Sequence, residues 1–150
     1  MKLTRTIAEV LQSKRENRIL SIPPDQTVYE AIKKMAEYGV GALLVMSDNQ
    51  LLGLISERDY ARKVVLKGHV SKDILVREIM TIAIVSVNPR RPVDECMAIM
   101  TEHRFRHLPV IENDAVVGVV SLGDVVKWII SEQEEAIHEL ESYIVGSYPA

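Results

Sequence analysis

Apolar residues recur at a helical spacing in two separate stretches of the chain. In the first stretch, four of them lie at positions i, i+3, i+4 and i+7: Val28, Ala31, Ile32 and Met35. The second stretch repeats this spacing: Val93, Cys96, Met97 and Met100. Thr27 and Glu30 have the spacing of a capping box, which marks the beginning of a helix. We therefore predict two amphipathic helices.

Two short apolar runs follow each predicted helix. Residues 42–46 and 51–55 follow the first helix, and residues 108–111 and 115–120 follow the second. Ser-Asp-Asn at 47–49 separates the first pair and Glu-Asn-Asp at 112–114 separates the second. Ser, Asp and Asn favour turns because their side chains bond their own backbone. Each pair of runs therefore predicts a β-hairpin.

Short strands and further helices complete the pattern. A strand is predicted before each helix, at residues 18–22 and 82–87, where apolar residues precede proline. A helix is predicted after each hairpin, and the last one extends to about Val145 as an amphipathic end that packs on the body or on a second chain. The order strand, helix, strand, strand, helix predicts an α/β protein.

The two halves of the chain are copies of each other. Residues 21–60 align without a gap on residues 86–125, and eleven of the forty aligned pairs are identical. The copy extends backwards, since residues 7–11 resemble residues 76–80, and extra polar residues between Gln12 and Leu20 predict a loop insertion. Similar sequences fold alike and pack together, which predicts a cleft between the halves. The predicted domains are a first repeat at 1–66, a linker at 67–75 and a second repeat with a C-terminal helix at 76–150.

Composition argues against several classes of protein. With 150 residues, of which 47% are hydrophobic, the chain can bury an ordinary core. The net charge of -3, with both signs interspersed, gives no basic surface for nucleic acid. No apolar stretch approaches the roughly 18 residues of a membrane span, and the N-terminus has no signal-type apolar run. We expect a soluble, cytoplasmic protein that binds neither nucleic acid nor membrane.

Cysteine and histidine chemistry is sparse. Cys96 is the only cysteine, so an intramolecular disulfide or a multi-thiolate zinc site cannot form. Its place on the apolar face predicts a small buried thiol, with a redox role as the alternative. An enzyme would need a nucleophile with a base in reach, yet His103 lies about 10 Å from Cys96 along the helix. No histidine pair has metal-ligand spacing with a carboxylate. We expect neither catalysis nor a metal site.

Each hairpin ends in a segment of the form Gly-x-x-Ser-x-x-Asp. Its members are Gly53, Ser56 and Asp59 in the first repeat and Gly118, Ser121 and Asp124 in the second. The strand glycine permits close approach of another segment. The serine and the acid are suited to satisfy the free N–H groups of a helix, which is a purely structural role. A helix N-terminus also suits a phosphate, with the carboxylate accepting from ribose hydroxyls. The motif alone leaves both interpretations open.

The duplicated pattern resembles the cystathionine-β-synthase (CBS) domain pair, also called a Bateman module. The resemblance covers Thr6 to about Ile130 and rests on both Gly-x-x-Ser-x-x-Asp segments. Three further stretches support it: Val-Gly-Ala-Leu-Leu-Val at 40–45, Glu-Ile-Met-Thr at 78–81 and Arg-His-Leu-Pro-Val at 106–110. It implies two βαββα repeats packed sheet to sheet around a pseudo-two-fold axis. It also implies clefts for adenosine-containing ligands, namely AMP, ADP, ATP, NAD(H) or S-adenosylmethionine.

The resemblance assigns roles to individual residues. Asp59 and Asp124 would hold the ribose diol, and both survive in this sequence. Ser56 and Ser121 would contact ribose or phosphate. Adenine would lie against residues of the first strand and the hairpin: Ile22, Val40, Gly41, Ala42 and Val87.

Charge distinguishes the two repeats. The second repeat carries Arg104, Arg106 and His107 where the first has glycine, glycine and alanine, and the first carries Arg58 where the second has glycine. Guanidinium groups bind phosphate oxygens through charge-assisted hydrogen bonds, so we expect a phosphorylated ligand, with AMP ahead of NAD, ADP and ATP. The alternative is that these are ordinary solvated charges. Solvation is the expectation for Arg62 and Lys63.

The resemblance leads to a regulatory function without catalysis. An adenine nucleotide would shift the geometry of the module, and a separate, unidentified effector protein would read that change. The family pairs two modules, so a homodimer is expected. The alternative is an interaction protein with vestigial ligand clefts, acting for example on a redox partner such as thioredoxin. Nucleotide binding discriminates the two.

Overall fold

The structure is a computed structural model that describes residues 5–14, 19–82 and 84–144. In these residues the helices are α1 (Ile7–Ser13), α2 (Val28–Tyr38), α3 (Glu57–Tyr60), α4 (Val76–Ile79), α5 (Val93–His103) and α6 (Leu122–Ile144). The strands are β1 (Ser21–Ile22), β2 (Ala42–Ser47), β3 (Gln50–Ser56), β4 (His107–Glu112) and β5 (Ala115–Ser121). A π-helical turn, Ala61–Val65, continues α3, and a 3-10 turn covers Ser71–Asp73. The predicted α/β class is confirmed.

The predicted amphipathic helices are α2 and α5. The Thr27 hydroxyl accepts from the Glu30 N–H at 3.2 Å, which confirms the predicted start of α2. The helix ends at Gly39, whose φ of 65° is the left-handed conformation that glycine adopts without strain. In α5 the same position is Arg104, with a φ of 57°. An arginine therefore carries a backbone conformation that usually costs a non-glycine residue about 1 kcal/mol.

Both predicted hairpins are present. β2 pairs antiparallel with β3, and β4 pairs with β5. Asp48 and Asn49 turn the first hairpin with φ values of 51° and 63°, and Asn113 and Asp114 turn the second with 52° and 63°. Two successive residues with positive φ form the turn whose twist matches that of the flanking strands. The turn residues identified in the sequence therefore set the hairpin geometry.

The predicted strand before each helix is shorter than expected. β1 covers only Ser21–Ile22 of the predicted 18–22, of which Arg18 lies outside the described residues, and it runs parallel to β2. In the second repeat, the described residues of the predicted strand at 82–87 form only a parallel bridge between Val87 and Val110. The Leu44 N–H donates to the Leu20 carbonyl in the first repeat at 3.1 Å, but Pro109 occupies the position of Leu44 in the second. Proline has no N–H, so this ladder loses a bond.

The short helix before each repeat packs on the other repeat. The Ile7 and Ala8 N–H groups of α1 donate to the carbonyls of Arg91 and Pro89, at 2.8 and 3.0 Å. The N–H groups of Val76 and Arg77, which begin α4, donate to Gln26 and Pro24 at the same two distances. These acceptors correspond under the repeat alignment. The chain therefore exchanges equivalent segments between its halves.

This exchange determines two compact units. One combines α1 with residues 88–108 and 120–144, and the other contains residues 19–82, 84–87 and 109–119. In the second unit, Val76 and Ile79 of α4 join a core that includes Ile22, Val28, Met35, Leu43 and Ile55. In the first unit, α6 packs against α1 and α5, with Val125 and Trp128 buried. The predicted boundaries at residues 66 and 76 stay a prediction.

No helix within 5–14, 19–82 and 84–144 is long and apolar enough to cross a membrane.

Candidate functional site

Ser56 and Asp59 form a reciprocal cap at the beginning of α3. The Ser56 hydroxyl accepts from the Asp59 N–H at 3.2 Å. The Asp59 Oδ2 atom accepts from the Ser56 N–H at 2.9 Å and from the Ser56 hydroxyl at 3.0 Å. The structural role of the Ser-x-x-Asp motif is thus present, and it fixes the orientation of the carboxylate.

Ser121 and Asp124 repeat this cap at the beginning of α6. The Asp124 N–H donates to the Ser121 hydroxyl at 3.0 Å, and the Ser121 N–H donates to Asp124 Oδ2 at 2.8 Å. In both repeats Oδ2 faces the cap. The second oxygen, Oδ1, is therefore the atom on which the two sites can differ.

Asp59 uses Oδ1 for contacts inside its own unit. Lys63 Nζ lies 3.1 Å from Oδ1, and the Thr81 hydroxyl donates to it at 3.4 Å. Lys63 also donates to the Ile79 carbonyl at 2.7 Å, so the expectation that Lys63 is a solvated charge is wrong. Its position one helical turn after Asp59 explains the pairing. The Asp59 side chain is only 11% exposed and has both oxygens occupied.

Thr81 reaches Asp59 because Gly53 lets its backbone approach. A Cβ atom at residue 53 would lie 2.7 Å from the Thr81 carbonyl oxygen. Leu54 and Thr81 exchange two backbone hydrogen bonds of 3.0 and 2.8 Å across this contact. The predicted role of the strand glycine, close approach of another segment, is confirmed here.

Asp124 makes both of its described contacts through Oδ2. Beside the cap, Lys14 Nζ lies 3.0 Å from Oδ2, and Oδ1 has no partner within 5–14, 19–82 and 84–144. Burial alone would raise the pKa of Asp124, but the Ser121 N–H and the Lys14 ammonium outweigh it and hold that pKa below its usual value. The carboxylate is therefore ionised at neutral pH.

His107 and Arg106 lie beside the beginning of α6. The Arg106 carbonyl accepts from the Leu122 N–H at 2.8 Å, as the Gly41 carbonyl accepts from Glu57 at 3.0 Å in the first repeat. Burial lowers the pKa of His107, and the Lys14 and Arg106 charges add to this effect against the opposing carboxylate of Asp124. His107 is therefore neutral at pH 7. The Arg106 side chain is exposed.

The other predicted charges lie on the surface. Arg58 is exposed on the first turn of α3, and Arg104 is exposed at the end of α5. Glu57 adds a negative charge beside the first motif, with Oε2 3.7 Å from the point that a Cβ on Gly41 would occupy. The second motif has the uncharged Leu122 in that place. Its surroundings are therefore the more cationic.

The predicted adenine-contacting residues differ in accessibility. Ile22 and Val87 are each only 3% exposed, and Ile22 belongs to the hydrophobic core. Val40, Gly41 and Ala42 are partly exposed at the beginning of β2. Their roles toward a ligand stay predictions.

Cys96 and His103 have structural surroundings. Cys96 is fully buried on α5, and burial raises the pKa of its thiol to about 11. A thiol with that pKa is almost entirely protonated at neutral pH and is a poor nucleophile. His103 stacks on Phe105 with ring centroids 5.8 Å apart. Within the described ranges, no group of three or more His, Cys, Asp or Glu residues could hold a metal ion.

Sequence reasoning missed the residues that complete the two carboxylate sites. Lys14 and Thr81 both follow an exchanged helix, α1 and α4 respectively, and each contacts the motif aspartate of the other repeat. The backward extension of the repeat was the available signal. It showed that the two helices are equivalent but not which repeat each one joins.

Comparisons with known proteins agree with this architecture. The CBS-domain profile matches residues 7–66 and 76–131. The CBS domain-containing protein CBSX3, mitochondrial, of Arabidopsis thaliana is 40% identical over 151 residues, covering 95% of this chain and 73% of that protein. A solved protein with CBS domains from Burkholderia ambifaria MC40-6, provisionally described as acting in signal transduction, is 47% identical. Its TM-score is 0.83, over 86% of this chain and 96% of that one.

A more distant structure shares the fold. The CBS domain pair of protein MJ0100, solved with 5′-methylthioadenosine and S-adenosyl-L-methionine, is 19% identical with a TM-score of 0.75. The match covers 86% of this chain and 98% of that one. Together with the profile matches, the exchanged helices and the duplicated caps, this confirms the predicted tandem repeat, and the chain belongs to the CBS-domain family.

Proposed function

We propose that this protein is a non-catalytic regulatory module that binds an adenosine-containing ligand, with AMP preferred over NAD, ADP and ATP. The site formed by Ser121 and Asp124 is the main binding position. A separate effector protein reads the bound state, and the module acts as a homodimer. The cytoplasmic location stays a prediction, since the Arabidopsis relative is mitochondrial by its name.

The observation that carries this proposal is the Oδ1 atom of Asp124, which has no partner among the residues that the structure describes. The Asp124 side chain is 20% exposed. An ionised carboxylate oxygen in that position is suited to accept hydrogen bonds from a ribose diol. At Asp59 the corresponding atom already contacts Lys63 and Thr81. A ligand there would have to displace internal hydrogen bonds, which lowers its affinity.

The charges around the second motif support a phosphorylated ligand. Arg106 and His107 lie at the N-terminal end of α6, where the helix dipole also favours an anion. A phosphate beside them would form charge-assisted hydrogen bonds and would favour the protonated form of His107. The MJ0100 pair was solved with 5′-methylthioadenosine and S-adenosyl-L-methionine, which share an adenosine moiety and carry no phosphate, so we propose adenosine as the part of the ligand that Asp124 contacts and phosphate as the part specific to this chain.

A melting screen tests the proposal. Ligand at about 100 times its dissociation constant adds roughly 2.7 kcal/mol of stability. For a chain of this length that raises the melting temperature by about 5 °C. We expect AMP to shift wild type and Asp59→Asn, but not Asp124→Asn. If none of AMP, ADP, ATP, NAD, NADH and S-adenosylmethionine shifts wild type, the interaction-protein alternative takes its place.

A further inference from the structure

The described contacts of Asp59 use every acceptor position of its carboxylate. Oδ2 accepts from the N–H and the hydroxyl of Ser56, at 2.9 and 3.0 Å. Oδ1 lies 3.1 Å from Lys63 Nζ and accepts from the Thr81 hydroxyl at 3.4 Å. A carboxylate offers about four lone-pair positions, shared between its oxygens. A ribose diol can therefore bind Asp59 only after one of these donors leaves.

Lys63 is the donor that can leave. The Ser56 hydroxyl also accepts from the helix that it caps, and Thr81 is held by its two backbone hydrogen bonds with Leu54. The described contacts of the Lys63 side chain are made by its ammonium, with the carboxylate and with the Ile79 carbonyl at 2.7 Å. This side chain is 40% exposed, and a lysine ammonium is carried by a flexible stem. It can therefore withdraw without moving the backbone.

A π-helical turn keeps Lys63 out of the hydrophobic core. The Leu66 N–H donates to the Ala61 carbonyl, five residues back, at 3.0 Å. This turn holds one residue more than an α-helical turn, and Val64 is its buried member, at 1% exposure. At the same distance from the motif aspartate, the regular helix α6 has Trp128, which is buried. The π-helical turn therefore lets a lysine occupy a position that is buried in the second repeat.

An open cavity of about 350 Å³ gives the Lys63 ammonium room to move. Its walls are formed by Lys63, Lys67, His69, Ile74, Glu78 and Ile79. Glu78 offers the ammonium a second carboxylate, since its described contact with the Leu75 N–H, at 2.6 Å, uses Oε2 alone. Lys67 opposes this move because it has the same charge. Contact with Asp59 is therefore the resting arrangement of Lys63.

The lysines of the two carboxylate sites contact different oxygens. Lys14 lies 3.0 Å from Oδ2 of Asp124, the oxygen that already accepts from the cap. Lys63 lies beside Oδ1 of Asp59, the oxygen that faces away from the cap. A lysine on Oδ2 leaves the position for a diol open, whereas a lysine on Oδ1 closes it.

We propose that Lys63 is a positioning residue that keeps the first carboxylate closed, so that an adenosine-containing ligand fills the Asp124 site before the Asp59 site. A ligand enters the first site only after the Lys63 ammonium leaves Asp59. The inference rests on the proposed function, since it concerns the same class of ligand. It adds the residue that sets the order in which the two sites fill.

Calorimetric titration of AMP into Asp124→Asn isolates the first site, because that variant lacks the second carboxylate. We expect no measurable binding in Asp124→Asn up to about 1 mM AMP. Adding Lys63→Met should tighten binding by at least about tenfold and make it measurable, because AMP no longer has to break a charge-assisted contact. Methionine keeps a long, flexible side chain without the ammonium. A merely structural role of Lys63 would not raise the affinity for a ligand.

Two further variants in the same Asp124→Asn background control this result. Arg62→Met removes an exposed charge from the neighbouring residue, so it matches the change in net charge and should give no gain in affinity. Asp59→Asn added to Lys63→Met should abolish the gain, because it removes the carboxylate that binds the diol. Circular dichroism checks that every variant is folded.

The outcomes separate the inference from the proposed function. If wild type binds AMP but Lys63→Met brings no gain in the Asp124→Asn background, the inference is wrong and the proposed function stands. A gain that Arg62→Met shares, or one that survives Asp59→Asn, would also overturn the inference, because the ligand would not be bound through Asp59. If neither wild type nor any variant binds AMP, both the inference and the preference for AMP are wrong.

Discussion

The two carboxylate sites share one cap and differ in what completes it. Asp59 and Asp124 each accept from the N–H of the motif serine through Oδ2. Asp59 then contacts Lys63 and Thr81 through Oδ1, whereas Asp124 meets Lys14 on the same Oδ2 atom. The conserved geometry of the cap thus serves the fold in both repeats. The second oxygen decides whether a carboxylate is free for another task.

The partners of the two carboxylates explain the difference. Thr81 follows α4 and Lys14 follows α1, so the exchanged segments complete both sites with different chemistry. In the first unit the Lys14 ammonium helps to hold the pKa of Asp124 below its usual value. The two repeats therefore share the same cap geometry. The charge at each site differs because the exchanged segments and the residues where β2 and β4 begin differ.

The largest expected effect comes from Gly53→Ala, which disrupts the first site by displacing the backbone of Thr81. The added Cβ would lie 2.7 Å from the Thr81 carbonyl, so backbone must move, at a cost of about 3 kcal/mol in the free energy of unfolding. Gly41→Ala is the control, because its Cβ would meet nothing closer than 3.7 Å and should cost nothing. Urea unfolding of both variants measures the difference. Equal stabilities would show that Thr81 does not depend on this close approach.

Next in size is the loss of each carboxylate. Asp59→Ala removes a cap and contacts to both Lys63 and Thr81, and we expect a loss of about 2 kcal/mol, with the half-exposed Lys63 adding little. Asp124→Ala removes a cap and one lysine contact, and we expect about 1 kcal/mol. The two losses are compared through the urea concentrations at the unfolding midpoints, with the same slope of unfolding free energy against urea for both variants. A larger loss for Asp124→Ala would reverse the proposed difference between the sites.

A smaller effect of opposite sign is expected at the end of α5. Arg104→Gly should stabilise the protein by roughly 0.5–1 kcal/mol, because glycine adopts the φ of 57° without strain. Gly39→Arg, the mirror change in α2, should destabilise by a similar amount. If Arg104 binds phosphate, Arg104→Gly should also weaken AMP more than adenosine in calorimetric titrations. Equal losses for the two ligands would remove that role.

The smallest effect is a pH dependence specific to the second site. The pKa of His107 is lowered in the folded protein, so the unfolded chain takes up its proton first, and stability falls as pH decreases through the ordinary histidine value of 6.5. Asp124 acts in the same direction over a lower pH window, because the folded protein favours its charged form. Its lowered pKa contributes stability above its ordinary value of 3.8, and this is lost as pH falls further. His107→Gln should remove the fall in unfolding free energy around pH 6.5 and leave the fall at lower pH unchanged, as measured by urea unfolding curves at a series of pH values. An unchanged profile would place the titration elsewhere.

Local elements of the fold could be predicted from the sequence because their signals are local. Apolar spacing and Thr27 located α2, and the Asn and Asp pairs located both hairpin turns. Because Arg104 aligns with Gly39, the alignment also held the information that α5 ends in a left-handed residue. The single bridge at Val87 could have been expected from Pro109, which cannot donate the bond that Leu44 makes.

The completion of the sites could not be predicted in the same way. The exchange of α1 and α4 depends on contacts between residues far apart in sequence, which a repeat alignment does not assign. Lys14 therefore had no visible connection to Asp124, and Thr81 had none to Asp59. Lys63 was the exception, since its i+4 spacing from Asp59 already allowed an ion pair.

The inequality of the two carboxylates is tested most directly by calorimetric titration of AMP into wild type, Asp59→Asn and Asp124→Asn. Asparagine keeps an oxygen for the cap and removes the charge. We predict one AMP bound per chain in wild type and in Asp59→Asn, and no measurable binding in Asp124→Asn. Two equivalent sites in wild type, or binding that survives Asp124→Asn and disappears in Asp59→Asn, would contradict the account.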